Sequence, residues 1–537
     1  MARRERLARI WLAAWFAALA ALALAAGWLA RAGPLAPALV VRVDALSAFF
    51  ALLAALGGLL LSLAEPIGRR IDGGTLVAVM LLFLAFGLPY ILAAPIGFAL
   101  LALVLAGARA AGQDLPRRLV QMAPELLAAA CLLAGYGLLA RGAARYDDPA
   151  AGAALGSLPF WLVLLAAVLP IAGLAYRAPP EPSVGLLRAR LFAPAWLYPL
   201  LRLYSLGPWN TGWSLAALLL GGGLALWCAL GGLALPRASA RAARSTAGWL
   251  ALALVGAGLA TSAGVAAAGF AALSYLVIAL GAPQHWRPEP ASSVASTRPL
   301  GEGAIPKGLE VAHEAIAVRS APVAQTSHTN PATPTPNSRA ANALAPWLLA
   351  GPLPFSAPFV AAWLLMGACM AGGVAIVAGA AWLALLLSGC AMALWGAPAA
   401  EARTRLAGWL SLALGLAAPL LVRGLLAPVA AQLQGGLTPY GDVNIWPWVG
   451  LAAADAANRP VTTWPSVVAV LLLLVVGALV YTLARLRAEV ELPPVPSLGA
   501  PPTSPREALA QLRAEVPWLG LLLAPDPPAE EPACDAE

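Results

Sequence analysis

Lysine is nearly missing from this chain. Lys307 is the only one among 33 basic residues, and the rest are arginine. Histidine is almost as scarce: His285, His313 and His328 all fall in one polar stretch. Only 11% of the residues are charged, where a soluble domain carries about 25%, so a soluble globular fold is excluded. The net charge of +8 is no nucleic-acid signal, because the arginines lie between apolar runs and form no basic groove. Of the five cysteines, Cys131, Cys228, Cys369 and Cys390 sit inside apolar runs and read as small buried hydrophobes, and with Cys534 they show no metal-ligand spacing. There is no nucleophile elbow, no glycine-rich phosphate loop and no metal-ligand cluster. No catalytic residue, metal or cofactor is expected.

What the chain has instead is apolar length. Of its 537 residues, 61% are apolar, and the mean hydropathy is +0.80. Apolar segments fall near 11–30, 46–64, 74–91, 94–108, 119–140, 157–176, 189–206, 213–235, 247–264, 266–281, 357–374, 377–396, 406–428 and 466–484. Two continuous stretches, 74–108 and 247–281, are each divided in two, since a helix of that length would span about 52 Å against a hydrocarbon core of about 30 Å. The expected fold is therefore all-α, a polytopic membrane protein of fourteen transmembrane helices embedded in a lipid bilayer.

Charge distribution tests that count. With the amino terminus in the cytoplasm, the inside segments hold nineteen arginines and the outside segments six, the asymmetry that orients membrane helices. Both termini are then expected to be cytoplasmic, and a prokaryotic plasma membrane is the expected location. The chain divides into a membrane part over 1–282 with ten helices, a polar, structureless cytoplasmic loop over 283–341, a second membrane part over 342–487 with four helices, and a tail over 488–537. In the tail, Pro505–Leu523 forms one amphipathic stretch. The loop 429–465 carries Trp446, Trp448 and Trp464, which suit a membrane-interface belt.

The organising stretch runs from Tyr176 to Arg202. A proline-rich turn leads into an apolar segment that Pro194 interrupts halfway. A helix broken at membrane depth is tolerated only where protein or a polar cavity covers the freed backbone groups, and in transporters such a break points to an ion path. Three motifs resemble those of the antiporter-like membrane subunits shared by respiratory complex I, membrane-bound hydrogenases and Mrp-type cation/proton antiporters. They are Asp44-Ala45-Leu46-Ser47-Ala48-Phe49-Phe50, then Ala178–Leu187 followed by Tyr198-Pro199-Leu200-Leu201-Arg202, and Ala350-Gly351-Pro352-Leu353-Pro354-Phe355-Ser356. The resemblance covers roughly residues 40–400. It implies a fourteen-helix scaffold with a broken seventh helix and, as partners, other membrane subunits of a respiratory or hydrogenase-like complex.

The resemblance also implies a proton relay in which several members are absent here. Family members that move protons carry a glutamate in the fifth helix, a lysine at the break of the seventh, and lysines or histidine further on. Alignment on Tyr198–Arg202 puts Pro194 where the lysine belongs. A second lysine falls near Ser239, a third position with its histidine falls within Ala272–Leu280, and the glutamate segment matches Pro95–Gly107, which has no carboxylate. A relay through hydrocarbon needs ionisable groups at intervals, and arginine, always protonated, cannot hand a proton on.

The candidate ion-path or substrate residues are Glu125, Arg188, Arg190 and Pro194. Each has a plainer reading. Glu125 follows Pro124 where a carboxylate offsets a helix dipole. Arg188 and Arg190 serve as topology determinants or lipid-phosphate contacts. Pro194 keeps an inherited break, and Asp44 caps its helix. The expected function is a divergent membrane subunit of the proton-translocating type (NADH:quinone oxidoreductase or Mrp antiporter-like) that is structural and has lost its own relay. Two alternatives stay open: a stand-alone secondary transporter of a small solute using Arg188, Arg190 and the break, and a membrane-embedded glycosyltransferase, for which the first outer loop offers only Asp44.

Overall fold

The computed structural model describes residues 2–30, 35–38, 41–64, 73–110, 115–176, 184–207, 210–234, 238–282, 348–349, 355–371, scattered positions between 374 and 389, 402–433, 443–446, 450–454 and 460–464. The expected loop 283–341, the fourteenth segment 466–484 and the tail 488–537 lie outside the described residues, as does most of the twelfth segment, 377–396.

The elements follow the apolar runs. Helix α1 (Ala2–Leu29) is followed by a short antiparallel strand pair, β1 (Leu35–Ala38) and β2 (Val41–Val43). Then come α2 (Ala45–Ala64), α3 (Gly73–Gly87), α4 (Ala93–Ala110), α5 (Leu115–Leu139), the one-turn α6 (Pro149–Ala153) and α7 (Ser157–Tyr176). The broken span is α8 (Val184–Phe192), a 3₁₀ turn (Ala193–Leu197) and α9 (Tyr198–Leu203). After it run α10 (Thr211–Ala234), α11 (Ala238–Gly258), α12 (Ser262–Gly281) and α13 (Ala357–Ala371). A last interrupted span holds α14 (Ala402–Leu416), α15 (Ala418–Leu421), a π-helical turn (Val422–Leu426) and α16 (Ala427–Leu433), with a 63° bend between α14 and the rest. Finally β3 (Val443–Trp446), β4 (Gly450–Ala454) and β5 (Pro460–Trp464) form an antiparallel three-stranded sheet.

The described residues thus form a helical bundle with two small antiparallel sheets. Six described helices are long and apolar enough to cross a membrane, or seven with the bent pair counted as one span; α3, α4 and α13 contain shorter apolar helices. Both doubled stretches divide, at 88–92 and at 259–261. The second division has a clear cause. Ala260 adopts a left-handed φ of 53°, a conformation a non-glycine residue takes only at turns, and Thr261 then caps α12 by accepting the Gly264 amide at 2.9 Å.

Three expectations need correction. The thirteenth segment is not one straight helix but bends at Ala417, next to Pro419, and passes through a π-helical turn. Proline cannot supply the amide that a continuous helix needs there. The stretch 429–465 is not all loop: it contains the end of α16 and three strands. And α11 begins at Ala238, not near 247, so Arg244 lies on a helix and not in a connecting loop.

The core is centred on α12. Every residue from Ala263 to Gly281 is buried, although the helix is long and apolar enough to face lipid. The neighbours that enclose it are α11, α13, α14 and α16. Ser274 in its middle donates to the carbonyl of Phe270 at 2.9 Å and lies 3.1 Å from that of Ala357 at the start of α13, which satisfies a hydroxyl that hydrocarbon would leave unpaired. By contrast α1, with Trp11, Trp15 and Trp28 exposed, and α10, with Leu215 and Leu219 exposed, present apolar side chains outward. Of the glycine run in α10, Gly221 packs against Val255 and Ala251 of α11, whereas Gly222 and Gly223 face open space.

Candidate functional site: the broken helix and its two ends

Two prolines set the break. Pro194 and Pro199 each lack an amide hydrogen, so each removes one helical hydrogen bond and crowds the preceding turn. The nine residues of α8 rise only about 14 Å, less than half a bilayer core. Tyr136 ties α5 to the start of α9: its hydroxyl donates to the Pro199 carbonyl at 2.7 Å. The break is packed with aromatic rings. Tyr198 lies against Phe86 (4.6 Å between centroids) and Phe50 (5.4 Å), and Trp196 against Phe98 (4.9 Å). From Leu191 to Leu197 the span carries no titratable side chain, and all five residues of the 3₁₀ turn are buried. Pro194 is one of them, in an apolar setting.

Polar groups collect at the two ends. At the distal end, where α2 starts and α9 finishes, Arg202 and Asp44 form a buried ion pair through Nη1 and Oδ2, with side-chain exposures of 3% and 2%. Asp44 also accepts the Ser47 amide on Oδ1 at 2.8 Å, so the expected helix cap is present and carries a second task. The Arg202 guanidinium stacks over the Tyr146 ring, 4.6 Å from its centroid. The Leu46 amide donates to Gln432 Oε1 of α16 at 3.1 Å, and Ser47 Oγ lies 3.4 Å from the Tyr198 hydroxyl. Burial pushes the Asp44 carboxyl upward, but Arg202, the Ser47 amide and Gln432 together outweigh it and hold the group below the usual carboxylate range. Tyr146, in the loop after α5, is pushed well above the ordinary phenol value by burial and stays neutral. At the loop's edge, Arg42 and Arg145 each meet Asp147 at 3.3 Å.

At the proximal end the groups are arginines. Arg188 is fully buried and its Nε donates to Thr75 Oγ1 of α3 at 3.1 Å. Arg190 is buried two residues further along α8. Arg244 donates to the Ala175 carbonyl at the end of α7 at 3.2 Å and packs over Trp227 at 5.0 Å. Burial corrects the reading of Arg188 and Arg190 as lipid-phosphate contacts: both are enclosed by protein. Glu125 is also corrected. It is not in a first turn but at the eleventh position of α5, and it is buried. By chain order α5 is the fifth of the long helices and Pro95–Gly107 belongs to the fourth, so the fifth helix does hold a carboxylate.

The structure therefore separates the four expected site residues. Arg188, Arg190 and Pro194 share one broken span, while Glu125 is on another helix. Asp44, Arg202, Tyr146 and Gln432 were not among the expected site residues. Asp44 and Arg202 could have been paired from sequence, as the opposite charges in two neighbouring motifs, but nothing in the sequence ties Gln432 to them. Among the described residues no group of three or more His, Cys, Asp or Glu side chains could hold a metal.

No protein-family model matches the chain, and no curated protein matches its sequence. Solved structures do match in fold. A chain of the Mrp complex from Dietzia sp. DQ12-45-1b superposes with a TM-score of 0.59 at 15% identity, covering 96% of this chain and 60% of that one. A chain of the membrane-bound sulfane sulfur reductase, an archaeal respiratory membrane complex, gives 0.55 at 17%, covering 90% and 82%. A chain of respiratory complex I from Thermus thermophilus gives 0.53 at 16%, covering 79% and 95%. This chain spans 60% of the length of the Mrp chain it matches. The fold is that of the antiporter-like membrane subunits, in agreement with the three sequence motifs.

Proposed function

We propose that this chain is a membrane subunit of a multi-subunit respiratory or cation-translocating assembly, in which it builds part of the membrane arm without relaying protons itself. The observation that carries this reading is the chemistry of the broken span: arginines at both ends, aromatic packing at the break, and proline in place of a titratable group. Arginine holds its proton at any physiological pH, and the aromatic side chains packed at the break offer no group that could take a proton on. The buried Glu125 could take part in a remaining step, and by itself it cannot bridge a bilayer core of about 30 Å. The partners are other membrane subunits, and the amino terminus lies in the cytoplasm of a prokaryotic cell.

Reconstitution of the purified chain into proteoliposomes tests the reading. An imposed pH gradient is expected to decay at the rate of protein-free vesicles. Decay that speeds up with protein content, and slows in Glu125→Gln, would overturn it. A second reading, a solute transporter, draws on the burial of Arg188 and Arg190, which suits an anionic solute. Uptake of a small anion that is lost in Arg190→Gln would favour that reading.

A further inference from the structure

Two of the described spans are interrupted, α8/α9 and α14–α16, and an interrupted helix loses the hydrogen-bond continuity that makes its halves move as one. The distal halves, α9 and α16, nevertheless meet at one place, the first turn of α2. From α9, Arg202 pairs with Asp44, and Tyr198 lies at 3.4 Å from Ser47. From α16, Gln432 accepts the Leu46 amide at 3.1 Å, two residues from Asp44. The first amides of a helix have no partner within it. Here two of them, on Leu46 and Ser47, are satisfied by Gln432 and Asp44, and both of those groups also hold a broken span. The proximal half α8 is fastened elsewhere, through Arg188 to Thr75.

We propose that the start of α2 is a junction that couples the distal halves of the two interrupted spans, so that α9 and α16 shift together or not at all. Asp44 is its centre, because its two oxygens serve α9 and α2 while Gln432 brings in α16. Loosening either tie leaves a buried group short of a partner, and the other tie then weakens with it. This goes beyond the subunit role proposed above and holds whether or not any ion crosses the protein.

Hydrogen–deuterium exchange of the full-length protein in lipid nanodiscs tests the coupling. Gln432→Ala removes one side chain of α16 and no charge. It is expected to speed exchange not only in 427–433 but, roughly tenfold, in 200–206, while 184–192 and α12 keep their rates. Asp44→Asn is expected to loosen the same two segments. In Gln432→Ala, exchange that rises in 427–433 alone would overturn the proposal, and so would a uniform rise across α5, α7 and α12, which reports general destabilisation. If Asp44→Asn does not fold, Gln432→Ala decides the matter by the same criterion.

Discussion

At the scale of single residues, the most consequential contact is the ion pair between Asp44 and Arg202. Both partners are buried, so removing one leaves the other as an uncompensated charge, a loss of about 3–5 kcal/mol. Asp44→Asn is expected to lower the thermal unfolding temperature in detergent by several degrees, and Asp44→Asn with Arg202→Met to recover part of that loss, which differential scanning fluorimetry can read. The pH dependence has a definite sign. Asp44 ionises in the folded protein below its ordinary value, so its stabilisation is present above the unfolded carboxylate value of about 3.9 and disappears as pH falls through the lower folded value. The gap in unfolding temperature between the native protein and Asp44→Asn is expected to be full at pH 7 and to narrow below about pH 4. The sequence made Asp44 legible as a cap, because a lone aspartate before an apolar run has few other roles. Its pairing with Arg202, across 158 positions, is signalled in the sequence only by opposite charges in two motifs, and the contact itself depends on how the broken span turns back onto α2. Arg188 and Arg190 read wrongly for the same reason: charge next to an apolar run looks interfacial until the neighbouring helices close over it.

At the scale of elements, the apolar runs were informative and their interruptions only partly so. Twelve of the fourteen expected segments are helical where described, and the break at Pro194 falls where its proline requires. The bend at Ala417 is not legible from the pattern, because Pro419 sits near the middle of a long apolar run whose charged residue, Arg423, comes four positions later and marks no end. Its geometry has a price in residue choice at Gly415. A Cβ there would run into the Phe355 carbonyl, and Phe355 itself holds a left-handed φ of 69°. The turn before α13 is therefore pressed directly against α14, with Ser411 accepting the Ala357 amide at 3.2 Å and donating to the Leu348 carbonyl at 2.7 Å. Gly415→Ala is expected to destabilise the protein by about 1–3 kcal/mol, whereas Gly222→Ala, on the open face of α10, is expected to be neutral or mildly stabilising, since alanine favours helix. Chemical or thermal unfolding of the two variants side by side checks both.

At the scale of the whole molecule, the bundle has exposed apolar helices on its margins and a wholly enclosed helix at its centre. Gentle extraction followed by native electrophoresis and mass spectrometry is expected to bring out other membrane subunits with the chain. A clean monomer or homodimer would favour the solute-transporter reading instead. Motifs in the right order made the fold legible at a level of identity, 15–17%, where no family model matches. The proposed assembly is not written in these residues, because an outward face of leucine, alanine and tryptophan suits a protein partner and lipid alike.

The enclosure of α12 also has a consequence in time. The ribosome delivers α12 before α13, α14 and α16, the helices that cover much of its surface. Until they arrive, its far side has only lipid or an insertion factor to lean on, and Ser274 waits for the Ala357 carbonyl. A sequence with almost nothing polar on this helix is what such an interval requires. The centre of the finished bundle is, for part of its synthesis, an outer wall.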